Sequence, residues 1–278
     1  MKLSHLRRYA MTGATSTVLV ALLASPAVAQ DAPAPTPALS VSAGIDFVNR
    51  YMFRGIRQNS SGIATWPYID LGVAAFEGAG AVKSLGFNVG SWNSAHSKPS
   101  GWYESDVYAT LGLGFGGGVS LGTTYTSYTS PNDSFTHVKE LAFKVSLDDS
   151  AHLGAGALSP YALLAVELAT EPGRYQADGG ENAGKYLELG VAPGLDMGVA
   201  SLAVPLKVGL SVGDYYELDG VDNKFGFFSA AGILTVPLGS NWNVHGGAEF
   251  QALGDTTKAL NDGRGSEVIG SIGMGFSY

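Results

Sequence analysis

"GSIGMGFSY", residues Gly270–Tyr278, is the last stretch of this 278-residue chain, and its reading decides the fold. With the residues just before it, Val268, Ile272, Met274, Phe276 and Tyr278 share one parity. Glu267, Ser271, Gly273, Gly275 and Ser277 share the other. A chain end is ordinarily polar and frayed. Here bulky apolar side chains alternate with small or polar ones, the period-two signature of a strand with two unlike faces.

The same alternation recurs upstream. Val41, Ala43, Ile45 and Phe47 oppose Ser42, Gly44 and Asp46, and Ile69, Leu71 and Val73 oppose Tyr68, Asp70 and Gly72. Further segments follow near Leu85–Val89, Glu104–Phe115, Val119–Tyr125, Glu140–Leu147, Leu158–Ala169, Tyr186–Val191, Leu202–Val212, Lys224–Val236 and Trp242–Gln251. The segment at Lys224–Val236 slips register around Phe227-Phe228, where a bulge is expected. Connectors alternate in length. Short ones fall at Glu77–Lys83, Gly116–Gly118, Asp148–Gly156, Asp196–Ala200 and Gly239–Asn241. Longer polar ones fall at Gly55–Gly62, Asn93–Gly101, Thr129–Thr136, Thr170–Gly184, Gly213–Asn223 and Gly254–Gly265. Short turns on one side, long loops on the other and an even strand count predict an all-β, transmembrane antiparallel barrel of about twelve strands with both termini periplasmic.

Composition points the same way. Only 14% of residues are charged, and 39 are glycine. That is too apolar for an ordinary soluble surface, yet beyond the leader no run of about 18 apolar residues marks a spanning helix. In a bilayer only helices and closed barrels satisfy their backbone groups, so the apolar content belongs to strands. Residues 1–29 read as a signal peptide. Lys2, Arg7 and Arg8 are followed by the apolar Val18–Ala24 and an A-x-A site at Ala27-Val28-Ala29. Residues 30–38 are a Pro/Ala-rich periplasmic lead-in and 39–278 the barrel, placing the protein in the outer membrane of a Gram-negative bacterium. Removing Lys2, Arg7 and Arg8 leaves 13 basic against 24 acidic residues, a net of −11. Such acidity argues against nucleic acid as a partner. Cysteine is absent, so neither a disulfide nor a thiol nucleophile is available.

Several motifs look like chemistry. "GLGFGG" at Gly112–Gly117 matches a dinucleotide fingerprint, but an alternating strand follows it where a helix is needed. "GVSLG" (Gly118–Gly122) and "GLSVG" (Gly209–Gly213) match a nucleophile elbow, again inside strand patterns. The sharper enzyme alternative is an outer-membrane lipid hydrolase using His245, which shares a face with Glu249 and Gln251. A serine–histidine pair there would need hydrogen-bond reach. Acidic loops carrying Asp214, Glu217, Asp219, Asp222 and Asp262 could hold calcium, but their spacing is not that of an EF-hand and solvated acidic loops are the preferred reading. No enzyme activity, metal or cofactor is expected.

The charged residues of the small-residue face carry the functional reading. An Arg or Lys facing lipid near the midplane costs about 2–4 kcal/mol, and an Asp or Glu somewhat less. Asp46, Arg50, Arg54, Asp70, Glu104, Asp106, Glu140, Lys144, Glu167, Glu188, Lys207, Glu249 and Glu267 are therefore expected to face the lumen. They would line a water-filled path or pair across a closed interior. The first makes the barrel a porin for passive diffusion of small hydrophilic solutes; the second makes it an adhesin or structural anchor acting through its loops.

One stretch, "VNRYMFRGIRQNSSGIATWPYIDLG", resembles the opening of the TorF-like family of outer-membrane porins. Tyr51, Phe53, Arg54, Gly55, Ile56 and Gln58 match that family's first element, and "VGSWNS" at Val89–Ser94 resembles its second. Asn49 and Met52 depart from the usual element. The resemblance covers the first two hairpins clearly and the rest in layout; it implies a porin without specifying a solute. Arg54 is expected at the strand exit, with Gly55 permitting a turn, pairing with a rim carboxylate or attracting anionic ligands. Phe276 and Tyr278 resemble the terminal signal read by the barrel-assembly machinery, so that machinery and outer-membrane lipids are the expected partners.

Overall fold

The computed structural model describes residues 39–168 and 182–278. The segments read as a signal peptide and a lead-in, and most of the 170–184 connector, lie outside the described residues. Twelve long strands form one closed antiparallel ring: β1 (Leu39–Val48), β2 (Ser61–Glu77), β3 (Val82–Lys98), β4 (Ser100–Phe115), β5 (Val119–Thr129), β6 (Val138–Leu147), β7 (Tyr161–Leu168), β8 (Lys185–Val191), β9 (Leu206–Gly213), β10 (Phe225–Leu238), β11 (Trp242–Leu253) and β12 (Ser266–Ser277). The seam pairs β1 with β12, Ser42 opposite Ser277 through Val48 opposite Ser271. Closure removes both sheet edges and satisfies the backbone without water.

Two strands are interrupted where proline removes an N–H from the ladder. β8 resumes at Gly194–Asp196 after Pro193, and β9 is preceded by Ser201–Ala203 before Pro205. The β9–β10 register shifts between Gly209 and Leu210, opposite Phe225–Phe227, where the sequence pattern slips. Gly117 and Gly118 take positive φ in the β4–β5 turn, so the apparent dinucleotide motif is a strand end and a glycine turn. Two helices were not foreseen: α1 (Ser150–Leu153) in a short turn and α2 (Asp255–Leu260) in the last long loop.

The exterior is apolar. Ile69, Leu71, Val73, Phe87, Val89, Val107, Leu111, Phe143, Val145, Val268, Ile272 and Met274 all point outward and are exposed. A soluble monomer does not present such a continuous surface; around a barrel it is the lipid-facing band. Inward, β12 shows why the chain's last strand alternates with almost nothing. A Cβ on Gly273 would collide with Asp46 Oδ1 and with His245 Nε2. The missing side chain lets β1 and β11 reach each other across β12.

Candidate functional site

The first long connector does not stand outside the barrel as expected. β1 ends at Val48, and residues 49–60 turn into the lumen. Met52–Phe53 pairs with Ile56–Arg57 as a small hairpin, and Arg54 and Gly55 form its tip with φ of 48° and 83°. Two consecutive positive φ values belong to a tight turn whose twist matches the flanking strands. The physical reason for the inward course is in the side chains. Tyr51, Met52, Phe53 and Ile56 are all buried, and water at the outer rim would leave them exposed.

Each side of the hairpin finds its own cluster. Tyr51 packs edge-on to Trp66, with ring centres 5.2 Å apart, and tilts against Trp92 at 5.6 Å. Its hydroxyl donates to Glu104 Oε2 at 2.7 Å, and its N–H donates to Asn59 Oδ1 at 2.5 Å. Ile56 joins Leu163, Ala165, Tyr186, Tyr215, Tyr216 and Phe227. From above, Asn261 clasps the turn: its Nδ2 donates to Gly55 O at 2.7 Å, and its Oδ1 accepts from Arg57 N at 2.8 Å. The loop following β9 folds in through its two tyrosines, while its acidic residues Asp214 and Asp219 stay exposed and Glu217 and Asp222 partly exposed. Tyr215 and Tyr216 are 1% and 0% exposed.

Arg54 is the centre of this assembly. Its guanidinium makes a two-pronged contact with Glu140 at 2.6 and 2.8 Å and donates to the Tyr215 hydroxyl at 3.1 Å. It lies 4.2 Å above the Tyr186 ring centre, and the Tyr216 hydroxyl donates to Arg54 O at 2.8 Å. A bidentate guanidinium–carboxylate pair is directional as well as strong. Arg54 thus pairs with a carboxylate, but deep in the interior and from the hairpin rather than from a strand exit at the rim.

At this depth the lumen is filled. Each of the twelve strands contributes a buried inward side chain: Val48, Trp66, His96, Asp106, Tyr128, Glu140, Ala165, Tyr186, Ser211, Phe227, Gln251 and Ile269 in order around the ring. Towards the end bearing the short turns the interior opens. Ser42, Asp70, Asn88, Lys144, Ser146 and Asn243 are partly exposed, forming a vestibule.

The sequence-predicted lumen residues fall into three groups. Arg54, Glu104, Asp106, Glu140 and Glu167 lie with the inserted hairpin. Arg50 sits at the outer mouth, 3.6 Å from Glu267, which Arg57 and Arg264 also approach. Asp46, Asp70, Lys144, Glu188, Lys207 and Glu249 line the lower and middle interior. There Glu188 accepts from the hydroxyls of Tyr161 at 2.7 Å and Tyr186 at 2.6 Å and lies 3.9 Å from Lys207. Glu249 accepts from Ser229 at 2.6 Å and Gln251 at 2.8 Å. Asp70 accepts from Asn88 Nδ2 at 2.6 Å. The Lys144 ammonium lies 4.4 Å over the Tyr161 ring.

The hydrolase alternative rested on His245. Its Nε2 is 2.6 Å from Asp46 Oδ1 and its Nδ1 2.9 Å from Asn243 Oδ1, so both nitrogens are engaged inside the barrel without a serine. Ser211, in the second elbow-like motif, accepts the Tyr215 N–H at 3.0 Å. An exposed pair, Ser127 Oγ and His137 Nε2, meets at 2.8 Å; among the described residues no third side chain orients the ring. Sequence reasoning missed Asn261, Asn59, Tyr215 and Tyr216. The adjacent tyrosines in a polar loop were a usable signal; neither asparagine carried one.

No family model matches the chain, and no curated protein matches it in sequence. In overall structure it is similar to the NanC porin, at 14% identity and TM-score 0.44 over 86% of this chain and 99% of that one. It is similar to outer membrane phospholipase A from Escherichia coli, at 10% identity and TM-score 0.45 over 84% and 92%. The translocator domain of autotransporter NalP from Neisseria meningitidis gives 13% identity and TM-score 0.41 over 87% and 88%.

Proposed function

We propose that the chain is an outer-membrane channel for small hydrophilic solutes, held shut in this conformation by the hairpin at residues 49–60. One observation carries the reading: charged and polar side chains line the interior above and below the level where an inserted hairpin, packed against inward wall side chains and against Tyr215 and Tyr216, fills it. A permanent plug has no need of the Arg54–Glu140 pair. Replacing a buried ion pair by apolar side chains of like volume is often neutral or stabilising by about 1–4 kcal/mol. A plug that must leave benefits from polar surfaces on both sides, because these rehydrate when it moves. The TorF-like resemblance, which we retain as a proposal, falls on the hairpin itself: Tyr51, Phe53, Arg54, Gly55, Ile56 and Gln58. The reading includes no catalytic step.

The filled outer half favours a second reading, a closed barrel serving as adhesin or anchor through its outer loops. Single-channel recording in planar bilayers separates them. With residues 49–60 replaced by a short Gly/Ser connector, the channel reading expects stepwise current where the intact protein is mostly silent. A folded barrel without the hairpin that passes no current would establish the closed-barrel reading instead.

A further inference from the structure

Glu104 and Asp106 stand two residues apart on the inward face of β4, and both are buried. Their carboxyl groups are in hydrogen-bond contact with each other. Among the described residues neither makes an ion pair, and the Arg54 guanidinium is engaged by Glu140 on β6. Neutral donors reach the pair: the Tyr51 hydroxyl donates to Glu104 Oε2 at 2.7 Å, and the Thr129 N–H donates to Asp106. Asp106 Oδ1 is buried, and among the described residues no donor reaches it.

An ionised carboxylate only accepts hydrogen bonds. Contact between two of them is bonding when one proton lies between them. It is repulsive when both are ionised in an interior that screens charge poorly. The surroundings supply little compensation. Around the pair stand Tyr51 and Arg54 of the hairpin, His96 on β3, Tyr103 and Tyr108 on β4 itself, Tyr128 on β5 and Glu140 on β6. Of these only Arg54 is a permanent cation, and Glu140 takes it. The His96 ring stacks on Tyr103 at 4.3 Å, and its Nε2 makes no hydrogen bond.

We propose that Glu104 and Asp106 hold one proton between them while the hairpin is inserted, and that loss of this proton releases the hairpin. The pair is joined to the hairpin directly, through the Tyr51 hydroxyl on Glu104. With the hairpin seated, water is kept from both carboxyl groups and a proton fills the place of the missing donor at Asp106. With the hairpin withdrawn, water enters, solvates each carboxylate and removes the need for the proton. The inserted state therefore binds one proton more than the withdrawn state, so rising pH favours withdrawal and acid favours closure. One proton limits the change in the withdrawn-to-inserted ratio to about tenfold per pH unit. The proposal rests on the channel reading, and two separate measurements keep their failures apart.

The first measurement is the rate at which a thiol reagent labels Met52→Cys, a buried hairpin position in a chain without native cysteine, in the full-length protein in lipid nanodiscs. The second is current through the same preparations in planar bilayers. Labelling should rise with pH, relative to the same cysteine in an Asp106→Asn background at each pH, and open probability should rise with it. Asp106→Asn gives Glu104 an amide donor in place of the proton, and Glu104→Gln gives Asp106 one. Either variant should stay closed and lose the pH step. A pH step that persists unchanged in both folded variants overturns the proposal, as does wild-type labelling that does not follow pH. Labelling that rises with pH in a barrel that never conducts sinks the channel and keeps the switch. Current that ignores pH, with labelling to match, sinks the switch and keeps the channel.

Discussion

Replacing Arg54 by glutamine should open the barrel. The guanidinium and Glu140 are almost wholly buried, with side-chain exposures of 7% and 3%, and meet through two hydrogen bonds. Glutamine cannot supply the charge, and it leaves Glu140 ionised beside Tyr128 and Tyr215 without a cation. Breaking one partner of a buried pair costs about 3–5 kcal/mol. That cost falls on the inserted state alone, since a displaced hairpin leaves Glu140 in water. At about 1.4 kcal/mol per tenfold, the open-to-inserted ratio should rise by a factor of roughly a hundred or more. Open probability in planar bilayers measures it. Glu140→Gln alone should act in the same direction, and the double substitution should cost less than the two singles added, because it leaves no unpaired charge. Open probability unchanged by Arg54→Gln, or a double variant that is fully additive, would refute the latch.

Three further expectations follow from other contacts. Asn261→Ala strips both Gly55 O and Arg57 N of their clasp; at about 1 kcal/mol for each hydrogen bond, open probability should rise by roughly one order of magnitude, less than for Arg54→Gln. The amides of Ser159 and Leu158 donate to Asp149 in the turn after β6 and hold its carboxyl below the usual carboxylate range, against the opposing effect of burial. Because the folded value is depressed, this contribution is complete above the ordinary carboxylate pKa and is lost as pH falls through the depressed one; protection of the Leu158 and Ser159 amides from exchange should follow that course and be weak at every pH in Asp149→Ala, which has no acceptor. Tyr278 exchanges two backbone hydrogen bonds with Val41 at the seam, at 2.8 and 3.0 Å, so its deletion should lower the amount of barrel in the outer membrane while leaving the conductance of each assembled channel unchanged.

The barrel was legible because its rule is local. Alternation and connector length are read residue by residue, and "GSIGMGFSY" carries both the lipid face and the gap through which Asp46 meets His245. The inward orientation of Asp70, Lys144, Glu188 and Lys207 follows from the same parity. The plug was not legible, because it depends on which connector turns inward, a contest between burial and loop-closure cost that no period encodes. "YMFRGIR" held the clue: four apolar or aromatic residues around a turn-forming Arg-Gly cannot remain in water. Charge pairing was still less accessible. Arg54 and Glu140 are 86 positions apart, and their meeting depends on the barrel's stagger as well as on the hairpin's course.

The central claim, that the hairpin closes a channel, can be tested in a single protein. The native chain has no cysteine, and the rings of Phe53 on the hairpin and Tyr128 on the wall lie 5.7 Å apart, centre to centre. Cysteines at these two positions, bridged by a short reducible bifunctional thiol reagent, would fix the hairpin in place. The rare openings of the unbridged protein in planar bilayers should vanish on bridging and return on reduction. Current that persists through the bridged barrel would contradict the account.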